Sequence, residues 1–152
     1  MCSLGDKDTL LVRCLERYAT RYGDKCDAAL SCAVDRPLVA VRAFFDVTLE
    51  RIADPGLPDG CLVAQTVMAA PVLSASVAAR AREAIGAQHT RLRAALEAGR
   101  LDDEAAETFA AHFAAVNQSL AVMSRAGTGA EQLRAVVDVT VDALARTLGA
   151  SD

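Results

Sequence analysis

The sequence predicts an all-α fold, a bundle of about six helices forming a single domain, and three observations lead there. Hydrophobic residues make up 53% of the 152-residue chain but aromatics only 4%, with no Trp. The apolar share is therefore largely Ala and aliphatic side chains, and Ala is the strongest helix former. Apolar residues recur at steps of three and four along one stretch after another, the period of an amphipathic helix. Caps and breakers, Asp54-Pro55-Gly56 above all, punctuate those stretches.

Taken in order, Asp6 or Asp8 caps a first helix with Leu10, Leu11, Cys14, Leu15 and Tyr18 on one face; it runs to Gly23, with a bent continuation to Ala33. A second helix takes Asp35 as N-cap and carries Pro37 in its first turn, where the missing N–H costs nothing. Its buried side is Leu38, Val41, Phe44, Phe45, Thr48, Leu49 and Ile52. The loop "DPGLPDG" is a turn, and a short helix from Gly60 to Ala70 stops before Pro71. From Ser76 to Ala98 a longer helix carries Val77, Ala81, Ile85, His89, Leu92 and Leu96 on one stripe, with Gly99 as its C′ residue. Asp102, Asp103 and Glu104 open the next helix, where the macrodipole favours acids. That helix has Phe109, Phe113, Val116, Leu120 and Met123 on one side and the small face Ala106, Ala110, Ala114, Asn117 and Ala121 on another. Thr128 and Glu131 have capping-box spacing ahead of a last helix, Ala130 to Leu148, striped by Leu133, Val137, Val141, Leu144 and Leu148. Within it "VVDVTVD" alternates like a strand, but the helical stripe spans the longer window and decides for helix.

Charge and composition exclude several functions. A net charge of −4 gives no basic field for nucleic acid phosphates. The row Arg80, Arg82, Arg91 and Arg93 reads as a solvated helix face. Five cysteines, an odd number without C-x-x-C spacing, argue against a disulfide framework and a zinc knuckle. The N-terminus lacks a signal-peptide pattern and no apolar run reaches the roughly 20 residues of a membrane span, so a cytoplasmic protein without a membrane partner is expected.

No constellation announces catalysis. There is no E-x-x-H, no G-x-S-x-G and no phosphate-binding Gly loop. Cys61, near a helix start, reads as a packing residue beside Leu62 and Val63. The expectation is no enzyme, no metal and no cofactor. What remains is surplus apolar helix surface. Tyr18, Phe44, Phe45, Gln65, Met68, His89, Phe109, His112 and Asn117 have the composition of a ligand cavity, apolar with sparse polar groups, and equally that of ordinary core. The faces of the last two helices are wide enough for an intermolecular bundle.

Four stretches, "LGDKDTLLVRCLERY", "PDGCLVAQTVMAA", "ALEAGRLDDEAAETFAAHF" and "MSRAGTGAEQLRAVVDVTVDAL", carry a further signal in their order and spacing. Together they resemble the C-terminal domain of the tetracycline-repressor (TetR) family of bacterial transcriptional regulators. Gly60 to Leu62 and the Arg-Ala-Gly turn before the last helix are the most telling. In that family a helix-turn-helix domain ends in a pattern like Tyr-x-x-Phe-x-x-Lys-x-x-Leu. Leu4, Lys7 and Leu10 match its last three positions, with Leu for Phe, and Met1 falls at the Tyr. The resemblance implies that residues 1–10 are the end of a DNA-binding domain otherwise missing, and that residues 11–152 bind an effector and dimerise. It implies a homodimer through the last two long helices, with Phe113, Leu120, Leu133, Val137, Val141 and Leu144 at the interface. It also implies a small, largely apolar effector held among the other helices, and DNA contact only through the missing domain. The alternative is a helical interaction module that heterodimerises with a complete regulator.

Overall fold

The computed structural model describes residues 4–149, with side chains described from Lys7 onward. The placement of Met1 and Cys2, and the side chains of Leu4 and Asp6, lie outside the described residues. The helices are α1 (Leu4–Leu30), α2 (Pro37–Ala53), α3 (Leu62–Met68), α4 (Ala75–Ala98), α5 (Asp103–Arg125) and α6 (Ala130–Gly149), with a 3₁₀ turn at Ala70–Val72. No strand occurs among the described residues, and "VVDVTVD" is helical. Its Val137, Thr140, Val141 and, one turn on, Leu144 are buried, while Val139 is 67% exposed.

α1 is one helix about 40 Å long, uninterrupted at Gly23. There the absent side chain makes room for Arg91 of α4, whose guanidinium bonds Asp27 at 2.9 Å. Leu11, Leu15 and Tyr18 turn inward, whereas Leu10 and Cys14, expected on that face, are exposed. α2 is entered from Arg36. Asp35, expected as the cap, lies one residue too early, and its N–H donates to the Cys32 carbonyl in the turn that ends α1.

Two helix ends are closed alike, by paired hydrogen bonds around a left-handed residue. At α5, Gly127 has φ +90, its N–H donates to Ser124 O, and the Thr128 N–H donates to Met123 O. The expected capping box therefore does not form. Thr128 belongs to the end of α5, and Gly129 accepts the first bond of α6, from Leu133 N–H. At α4 the left-handed residue is Arg100, φ 71, while Gly99 stands one place earlier at ordinary φ. Gly99 is required for a different reason from the one expected. A Cβ there would lie 3.0 Å from Ala33 O and 3.0 Å from Pro37 Cβ, so it marks the crossing of the α4 end over the α1–α2 turn.

Two separate cores hold the bundle. The larger gathers the C-terminal part of α1 with α2, the end of α4, α5 and α6, around Phe44, Phe45 and Phe113. The smaller is Leu15, Val63, Val77 and Ala81, where α1, α3 and the start of α4 meet. α6 packs on α2 and α5, and α5 on α4, so the small face of α5 is buried within the chain.

Candidate ligand-binding cavity

The two cores do not merge. Between them lies a cavity of about 300 Å³, at the small end of ligand pockets. α1 supplies one wall from Leu15 to Cys26, α2 another with Val47, Thr48 and Arg51, α4 a third from Arg80 to Arg91, and α5 closes it with Asn117, Gln118 and Ala121. Cys61 and Val63 complete the lining.

The polar groups around this space follow a pattern. Every arginine at its α4 edge has an acidic partner: Arg80 meets Glu83 at 2.6 Å and Glu16 at 3.2 Å, and Arg91 meets Asp27. Arg93 further along is likewise taken up by Glu97 and Glu107, so three of the four arginines in the α4 row stand in ion pairs. Arg51 differs. It is 8% exposed, donates to the Gly60 carbonyl and lies 5.9 Å over the Tyr22 ring, and no carboxylate pairs with it among the described residues. Across the cavity, Asn117 is 7% exposed and its Oδ1 has no hydrogen-bond partner. The neighbouring Gln118 donates to Gln88 at 2.9 Å, but its own Oε1 is buried and unpartnered. Burial and the adjacent Cys61 push the Tyr18 hydroxyl well above the ordinary tyrosine range, against a smaller downward pull from Arg51, so it is a neutral phenol.

Of the residues expected at a ligand site, Tyr18 and Asn117 line this cavity and the rest do not. Phe44 and Phe45 are 1% and 0% exposed and form the main core, with Phe45 edge-on to Phe113 at 5.7 Å. Phe109 packs against that core from outside, and His112 is exposed. His89 lies at the α4–α5 surface with Nε2 3.2 Å from Glu107. Gln65 and the exposed Met68 border a shallow groove between α3 and α5, with Ala121, Val122 and Arg125. Helical spacing alone put these aromatics on inward faces without saying which side of a core they fill.

The six residues expected at a dimer interface lie inside the single chain. Phe113, Leu120, Val137 and Leu144 are 0% exposed, Leu133 1% and Val141 5% within a single chain. A side chain enclosed by its own chain has no surface to give a second one. Arg51, Gln88 and Gln118 were missed. The signal for Arg51 is in the sequence: it falls three residues after Thr48 and seven after Phe44, a charge on a buried stripe.

The helical bundle thus keeps a cavity, mostly apolar with a few polar groups, between its two cores. In a comparison with family models, residues 37–139 match the Tetracyclin repressor-like, C-terminal domain, and the chain belongs to that family. No curated protein and no solved structure matches it. No helix among the described residues is long and apolar enough to cross a membrane.

Proposed function

We propose that this chain is the effector-sensing and dimerisation part of a cytoplasmic TetR-like repressor, with the effector in the cavity between α1, α2, α4 and α5. The observation that carries the reading is the set of buried polar groups left without partners around that one cavity, since such groups cost about 1–3 kcal/mol each unless a ligand or water satisfies them. α1 forms one wall along Leu15–Cys26, so occupancy is felt by the helix whose first residues, 4–10, resemble the seam with a DNA-reading domain. DNA contact is assigned to none of the described residues, and the domain performs no catalysis. Thermal shift against a library of small organic ligands tests the site, because a ligand of the folded state raises the melting temperature by mass action. A flat response across polar and apolar members contradicts it.

Dimerisation uses the outward faces of α5 and α6. Val122 and Val139 are 52% and 67% exposed there, and Ala115 and Ala135 leave room for a close approach. Light scattering is expected to give twice the chain mass at micromolar concentration. Val122→Glu with Val139→Glu is expected to give a helical monomer. A monomeric wild type contradicts this reading.

A further inference from the structure

The sparse polar wall of the cavity says more about its occupant than its size does. Resting on the cavity being the effector site, we propose that the effector is an organic carboxylate whose anionic group pairs with Arg51. The guanidinium has five N–H donors. One is taken by the Gly60 carbonyl, and the face lies over Tyr22, which leaves donors for the cavity that Arg51 borders. A buried cation is ordinarily paired, and every other arginine bordering the cavity is: Arg80 by Glu16 and Glu83, Arg91 by Asp27. Of these three, Arg51 alone lacks an anion among the described residues, at 8% exposure.

The single charge selects a monoanion. Phosphate esters carry about −1.5 to −2 at neutral pH, and the only further cations at the cavity are already neutralised. The unpartnered oxygens of Asn117 and Gln118 are acceptors. Those oxygens call for an N–H or O–H on the ligand body. A carboxylate matches the planar guanidinium in two parallel hydrogen bonds. The occupant that fits is a small carboxylic acid with an aromatic or aliphatic body bearing one hydrogen-bond donor.

The test uses the whole chain and matched probes whose bodies carry one donor: indole-3-acetate against indole-3-acetamide, 4-hydroxyphenylacetate against 4-hydroxyphenylacetamide, and 8-hydroxyoctanoate against 8-hydroxyoctanamide. Thermal shift finds the binders and titration calorimetry ranks them. Acids are expected to bind roughly ten- to hundredfold tighter than their amides, the contribution of one charge-assisted hydrogen-bonded pair. Arg51→Met is expected to erase that preference, and Arg51→Lys to keep part of it. The wild-type comparison of acid with amide stands even where a variant does not fold. Amides binding as well as acids, or an acid preference that survives Arg51→Met, overturns the carboxylate proposal and leaves the cavity as an effector site. No binding by either series overturns both.

Discussion

Phe113→Ala separates the two places in which this side chain could act. Phe113 is 0% exposed and touches Phe45 edge-on at 5.7 Å and Phe109 at 5.4 Å. Truncating a buried Phe to Ala costs about 3–5 kcal/mol, and the loss of an edge-to-face partner adds about 0.5–1.5 kcal/mol. The surrounding helices α2, α5 and α6 converge on this point, so the site has little freedom to collapse and the upper part of that range applies. With a urea slope of about 2 kcal/mol per M for a protein of this size, the unfolding midpoint falls by about 2 M. Phe113→Leu, which keeps most of the volume, is expected to lose about 1–2 kcal/mol. Urea unfolding followed by circular dichroism reads the midpoint, and light scattering before denaturant reads the mass. The midpoint is expected to fall by about 2 M in the Ala variant and by about 0.5–1 M in the Leu variant, with the native mass unchanged in the Leu variant. Halved mass with an unshifted midpoint would return Phe113 to an interface and refute the placement.

The remaining predictions concern helix ends and a buried thiol. Gly99→Ala sets a Cβ against the Ala33 carbonyl and Pro37, neither of which is a flexible side-chain tip, and is expected to cost about 1–3 kcal/mol in urea unfolding. Arg100→Gly relieves a left-handed residue and is expected to be neutral or stabilising by up to about 1 kcal/mol; the opposite order of the two variants would mean that Gly99 serves as the turn glycine. Burial pushes the Cys26 thiol from 9.0 up to about 11. Below pH 9 the thiol is neutral in both folded and unfolded chains. Across the window from 9 to about 11 the unfolded chain ionises first, so stability falls as pH rises. Melting temperature is expected to drop more steeply above pH 9 in wild type than in Cys26→Ala; parallel pH profiles would contradict the shift.

Most of the fold was legible because helices announce themselves by period. The stripes on α4, α5 and α6 and the acids that open α5 act over a few residues, and neighbours in sequence decide them. What was not legible depends on distant neighbours. Gly99 looks like a turn glycine in sequence, and only the approach of Ala33 and Pro37 shows it to be a steric one. Leu133, Val137 and Leu144 form an apolar stripe whether the partner helix comes from the same chain or another; the packing of α6 onto α2 decides for the same chain. The site shows the same division. Tyr18 and Asn117 were readable as polar groups on inward faces, and Arg51 was readable as a charge on a buried stripe. That they share one cavity depends on α1, α2 and α5 converging from different parts of the chain.

The central claim is that this domain senses a ligand between its two cores and that α1 registers it. Amide NMR on the labelled chain, titrated with the tightest-binding acid of the probe series, tests this most directly. The account predicts the largest shifts at Tyr18, Arg51 and Asn117, with smaller shifts continuing along α1 toward its first turns. Shifts confined to the groove around Met68 and Arg125, with α1 silent, would contradict it.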